Sequence, residues 1–140
     1  MPHSGSCLCG QTKVSVKSTH EDQIICHCDD CKLTSGSAFS TNILPKQADV
    51  EITGAVKQYD SKAASGNTVS RLFCGNCGYA VAHKSVVFGD AMAVQTGALS
   101  GFAKLPVSTE LFTKSRWTGI APTAGAAQAW TMPGTEPPKV

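Results

Sequence analysis

Residues 26–39 read CHCDDCKLTSGSAF and set three cysteines, Cys26, Cys28 and Cys31, around His27 ahead of a small-residue turn. A structural zinc takes four protein ligands in a closed tetrahedron, whereas a catalytic zinc takes three and keeps one position for water or substrate. The meaning of the run therefore depends on the rest of the chain's seven cysteines.

Those fall in two clusters, C-L-C at Cys7 and Cys9 and C-G-N-C at Cys74 and Cys77. The glycine of C-G-N-C permits a tight turn, so two thiolates and nearby amides can converge on one ion. Residues two apart on extended chain project to one side. Cys7 and Cys9 can thus complete a four-thiolate structural site with Cys74 and Cys77, tying the start of the chain to its middle. Cys26, Cys28 and Cys31 then cap one face of a second ion with a position left open, provided residues 28–31 turn back. Two other readings stand beside this one. Cys7 and Cys9 can be ordinary reduced residues, or C-H-C-x-x-C can share a site with part of C-G-N-C and leave C-L-C spare. His27, on extended chain, points away from its neighbours and suits packing or hydrogen bonding beside the site better than ligation. His3, His20 and His83 are isolated and are assigned no role.

With 140 residues the chain suits one domain with a genuine core. A formal charge of +2, from 12 basic and 10 acidic residues without a block of either sign, leaves no electrostatic footprint for nucleic acid or an anionic membrane. The N-terminal MPHSGSCLCG holds no apolar signal core and no stretch reaches transmembrane length, so a cytoplasmic protein is expected. Thiols there stay reduced, and an odd number of cysteines cannot pair completely. Metal ligation explains them better than disulfides.

Periodicity predicts strands. Val14 and Val16 alternate with Lys13, Ser15 and Lys17, and Val50 and Ile52 alternate with Asp49, Glu51 and Thr53. Val69 to Phe73 is a further apolar-rich run. Turn signals separate them at Gly54, Ser65-Gly66-Asn67, Gly75-Asn76 and Gly89-Asp90. The expectation is a mostly β domain of short antiparallel strands over 1–117, with one short helical turn after Cys28. Residues 118–140 are rich in Ala, Gly, Pro and Thr, and are expected to form a loose, weakly ordered tail in which Trp130 can pack back on the domain.

The cysteine motifs resemble the family of glutathione-dependent formaldehyde-activating enzymes, which includes the centromere-protein-V-like domains. The matching elements are GSCLCG at 5–10, CHCDDCKLTSGSAF at 26–39 and RLFCGNCG at 71–78, with weaker matches at QTGAL (95–99) and ELFTKSRW (110–117). The resemblance implies a β-tent fold with two Zn2+ ions per chain: a structural one on Cys7, Cys9, Cys74 and Cys77, and a catalytic one on Cys26, Cys28 and Cys31. It implies a carbon–sulfur lyase acting on glutathione–aldehyde adducts of the S-hydroxymethylglutathione type, or on a related glutathione conjugate, with glutathione as co-substrate. Tyr79 and Ser100 depart from residues frequent in the family and bear on the substrate more than on the metal sites.

Glutathione carries two carboxylates, so cations or backbone amides should line its pocket. Lys32, Arg71 and Lys84 lie near the cysteine motifs, and Ser35, Gly36 and Ser37 form a loop whose amides can approach a ligand closely. Arg71 can equally brace the C-G-N-C half-site. A reading from another class is a non-enzymatic zinc-binding module for protein interaction, its second metal closed by His27 or another residue.

Overall fold

The alternation read in the N-terminal strand is realised: within TKVSV, Thr12, Val14 and Val16 are buried while Lys13 faces solvent. The computed structural model describes residues 2–139. Met1 and Val140, included in the expected domain and tail, lie outside the described residues. In chain order the strands are β1 (His3–Ser6), β2 (Thr12–Val16), β3 (Gln23–Cys26), β4 (Ser40–Ile43), β5 (Val50–Gly54) and β6 (Val56–Lys62). They continue with β7 (Thr68–Cys74), β8 (Ala80–Ser85), β9 (Ala93–Gln95), β10 (Val107–Leu111) and β11 (Ala127–Gln128). One α-helix, α1 (Asp29–Ser35), stands among them in the described residues.

Two sheets result. The smaller has the order β1-β2-β5 and is antiparallel, with Val14 opposite Ile52 and Val16 opposite Val50. The larger has the order β11-β10-β3-β4-β9-β8-β7-β6. Its pairings from β3 through β6 are antiparallel, as expected of short strands joined by turns. Two pairings depart from that expectation, since β10 runs parallel to both β3 and β11. A parallel neighbour needs a long return connection, and here the chain between β3 and β10 carries six strands and α1.

The core lies where the sheets face each other. Val14 and Val16 from the small sheet meet Ile43, Val81, Ala82 and Val94 from the large one, closed by Met92, Leu99 and Phe102. Val16 and Val94 are fully buried, a burial that stabilises by about 2 kcal/mol for each such side chain.

α1 forms where the sequence sets a capping residue ahead of acids. The Cys28 sulfur accepts the Cys31 N–H at 3.3 Å as N-cap, Asp29 and Asp30 occupy the first turn, and the helix stops at Gly36 in the left-handed region (φ 64°). It runs for seven residues, longer than the single turn expected. Within residues 118–139, expected from composition to form a loose tail, the 127–129 stretch lies against the domain: β11 pairs with β10, Ala129 N–H donates to Glu110 O at 2.9 Å, and Ala129 is buried.

Candidate metal centres and the cleft beside them

The β7–β8 turn builds one half-site. Gly78 N–H donates to Cys74 O at 2.8 Å and Cys77 N–H approaches the Cys74 sulfur at 3.5 Å, the second contact orienting a thiolate with a backbone amide. The β1–β2 hairpin builds the other. Gly10 N–H donates to Cys7 O and Thr12 N–H to the Cys7 sulfur. Cys7 and Cys9 thus come together through a turn and not through extended chain, which corrects the geometry expected of C-L-C: an extended pair would have left the hairpin open. All four sulfurs lie within 4.8 Å of one another. The Cys7–Cys9 and Cys9–Cys74 separations are 3.6 and 3.7 Å, near the edge of about 3.8 Å that a tetrahedron with metal–sulfur bonds of about 2.3 Å requires.

Cys26, Cys28 and Cys31 form the second group, also with sulfurs within 4.8 Å of one another. Cys26 ends β3, Cys28 caps α1 and Cys31 lies in its first turn, so one strand-to-helix junction supplies all three. Among the described residues no histidine or carboxylate joins either group. Crowding divides the thiols electrically. Contacts from Cys26 and Cys31, helped by Arg71, hold Cys28 down to about 2. Cys26 is pushed up, first by its contact with Cys28. Cys31 rises to about 11, since its contact with Cys26 lowers it but the contact with Cys28 and burial together prevail. One negative charge is easily held and three are not, and a thiophilic cation would supply the missing compensation.

His27 stands between two of these cysteines and faces away from them. It is fully buried, its Nε2 lies 2.7 Å from Glu110 Oε1, and Phe39 meets its ring edge-on at 5.6 Å between centroids. Arg71 lies on the three-thiol side of the molecule, 3.8 Å from Asp30 on α1, and its charge acts on Cys28. His83 sits opposite Arg71 across β7 and β8, and burial, then Arg71, lowers its pKa to about 4. Lys32 is turned to the C-terminal segment, where it donates to Ser115 O and lies 5.9 Å from the Trp117 ring centroid. Lys84 on β8 pairs in register with Ser70 on β7.

A cleft of 460 Å³ opens against the four-thiol half-site, where Cys77 and Gly78 line it; it takes none of Cys26, Cys28 and Cys31, and reaches their neighbourhood through Thr34 and Ser35 on α1 and through Ser40, which stands opposite Cys26 in the β3–β4 register. Ser35 and Ser37 line it; Gly36, Lys32 and Arg71 do not. Its floor comes from Ser40 and Thr41 on β4, Gln95 on β9 and Tyr79 and Ala80 at the start of β8, with Leu8 at the four-thiol end. Ser40 joins cleft and thiols: it lines the cleft, stands opposite Cys26 in the β3–β4 register, and its Oγ accepts from Asn42 Nδ2 at 2.9 Å. Tyr79 is fixed by accepting the Ala98 N–H at 3.1 Å. Sequence reasoning had no residue-level case for Ser40, Thr41 or Ala80. Gln95 and Gly97 were signalled by the QTGAL match alone.

Comparison with known proteins adds three findings. A solved crystal structure of a Rhodobacter sphaeroides protein is similar in fold, with a TM-score of 0.58 and 17% identity over 75% of this chain and 99% of that one. No curated protein matched. A family model described as glutathione-dependent formaldehyde-activating enzyme matches residues 2–115, which hold every cysteine of the chain.

Proposed function

The chain belongs to the glutathione-dependent formaldehyde-activating enzyme family, and from that premise we propose that it is a zinc-dependent carbon–sulfur lyase of glutathione–aldehyde adducts. The observation that carries the reading is the three-thiol group, drawn from one strand-to-helix junction, while the other four thiols complete a set of their own. Cys7, Cys9, Cys74 and Cys77 would hold a structural zinc, and Cys26, Cys28 and Cys31 a catalytic one.

Zinc held by three thiolates supplies the positive charge that keeps a substrate sulfur ionised. The chain's own residues do the rest. With zinc bound, Cys26, Cys28 and Cys31 would all be ionised and would leave the site net negative, so a fourth thiolate would be held weakly and would exchange. In the cleavage direction the adduct's hydroxyl gives its proton to water, the C=O forms as the C–S bond breaks, and the electron pair leaves on sulfur. Addition is the reverse. Arg71, beside Cys28, offers a cation to a glutathione carboxylate, and the 35–37 loop offers polar groups to the peptide backbone.

The test is metal analysis joined to exchange spectroscopy. Protein loaded to two zinc ions per chain should accelerate exchange between free glutathione plus formaldehyde and the hydroxymethyl adduct, and Cys31→Ser should remove the acceleration. Full zinc loading without acceleration would overturn the lyase reading and favour a non-enzymatic zinc module.

A further inference from the structure

The cleft that runs from Cys77 to Ser35 and Ser40 has a chemical character of its own. None of the residues that line it is Asp, Glu, Lys, Arg or His. Leu8, Phe39, Tyr79 and Ala80 give it apolar surface, and Thr41 and Gln95 add neutral polar groups. The charged groups of the site are elsewhere: Arg71 pairs with Asp30 at 3.8 Å, and Lys32 is committed to the 115–117 segment. The cleft reaches the three-thiol group through Ser40, opposite Cys26 in the β3–β4 register, and through Ser35, one helical turn beyond Cys31 on α1, and both of these residues are uncharged.

Glutathione, with two carboxylates and an ammonium, is poorly matched to an uncharged cleft, because each ion would lose hydration without gaining a partner. Formaldehyde is poorly matched for the opposite reason. It adds one carbon and one oxygen to the sulfur, about the volume of one or two water molecules at roughly 30 Å³ each, whereas the cleft measures 460 Å³ and falls among the sizes that enclose sizeable organic groups. Leu8 supports the same view. It is 93% exposed yet forms the rim of the cleft, and a bulky apolar group in the cleft would cover it.

Building on the lyase reading, we propose that the cleft receives an uncharged, largely apolar group attached to the glutathione sulfur, so that the favoured substrate is the adduct of a bulky neutral aldehyde and not that of formaldehyde. The bonds broken and formed are those of the formaldehyde adduct. The hydroxyl proton passes to water, the carbonyl forms, the C–S pair departs on sulfur, and the neutral aldehyde is released through the cleft.

Binding and turnover separate this proposal from the reading beneath it. Calorimetry on the zinc-loaded protein should show S-benzylglutathione binding at least tenfold more tightly than S-methylglutathione. Ala80→Trp, which fills the cleft, should reduce that ratio toward one. Equal affinities for the two thioethers would overturn the proposal while leaving lyase activity on the formaldehyde adduct intact. Tighter binding of the benzyl compound, with no adduct turned over, would uphold the cleft assignment and overturn the lyase reading. In turnover, the benzaldehyde adduct should exceed the formaldehyde adduct at least tenfold in kcat/KM, and the anionic glyoxylate adduct should fall below the benzaldehyde one. A preference for formaldehyde would overturn the proposal.

Discussion

His27 and Glu110 are 83 positions apart, yet Nε2 of one lies 2.7 Å from Oε1 of the other, with both side chains closed to solvent. Glu110 collects further donors on its second oxygen, from Thr123 N–H and Gln128 Nε2 at 2.7 Å each, with Arg116 at 3.6 Å. His27 is flanked by Cys26 and Cys28, so this carboxylate fixes the backbone that presents two thiols. Glu110→Gln places an amide where donors converge and leaves some of them unpaired. The expected cost is about 3 kcal/mol in urea unfolding, and an undisturbed midpoint would show that the network does not stabilise the fold.

The same carboxylate gives a pH dependence with a definite sign. Glu110 is buried, which alone would raise its pKa, but the hydrogen bonds from Gln128, Thr123 and His27 outweigh that and hold it at about 2, below the ordinary 4.5. A depressed pKa stabilises the native state above the unfolded value and loses that contribution as pH falls through the native value. The stability advantage of the wild type over Glu110→Gln should therefore be constant above pH 5 and shrink between about pH 4.5 and 2. Paired melts at stepped pH check this, and an advantage that grew on acidification would be the wrong sign.

The two thiol groups should respond differently to the same chemical change. The four-thiol group joins the β1–β2 hairpin of the small sheet to the β7–β8 turn of the large one, so its loss releases a long-range tie. The three-thiol group is local to residues 26–31. Cys77→Ser is expected to unfold the domain or lower its stability by more than about 3 kcal/mol, whereas Cys31→Ser should leave circular dichroism and the melt near wild type while turnover disappears. Equal destabilisation by both would count against the division into structural and catalytic sites.

Much of this architecture is legible locally, and what is not depends on distance. Val14 and Val16 announce β2 by alternation, and C-G-N-C announces its turn through glycine. The spacing of Cys26, Cys28 and Cys31 needs only the short helix that Asp29 and Asp30 favour. The parallel pairing of β10 has no local mark, because VSTEL reads as a half-polar strand that fits any neighbour. Glu110 reads as a solvated acid until His27, Arg116 and Gln128 are brought to it from elsewhere in the chain. His83, isolated in sequence, gains its place opposite Arg71 from strand register alone. The ELFTKSRW and QTGAL matches were signals without a mechanism, and the structure supplies one through the Glu110 network and the cleft floor.

The small sheet also depends on one close approach. A Cβ built on Gly5 in β1 would lie 1.7 Å from the carbonyl oxygen of Ala98, in the segment that ties down β1 through Ser100 N–H to Ser4 O. The obstruction is backbone, which cannot rotate aside like a side chain, so Gly5→Ala must push β1 away from the 96–100 turn. A loss of about 2–3 kcal/mol is expected, with hydrogen exchange accelerating first in β1. Wild-type stability in this variant would show that the approach is not tight.

The C-terminal segment supplies the last prediction. Thr123 and Gln128 donate to Glu110, and the 112–115 backbone bonds back to residues 129–131 through Phe112 N–H to Thr131 O and Thr113 N–H to Ala129 O. All of these partners lie beyond residue 115, where the family match ends. Truncation after Trp117 uncovers Glu110 and removes the donors that oppose its charge, so His27 loses its fixed anchor and the Cys26–Cys28 backbone loosens. The four-thiol group has no contact with this segment among the pairings described, and its hairpin and turn are braced by their own amides. With cobalt as the reporter ion, the truncated protein should surrender one of two equivalents to a chelator at least tenfold faster than the full chain, with the second released at the unchanged rate. Equal acceleration of both would mean that the segment supports the whole fold and not the three-thiol site in particular.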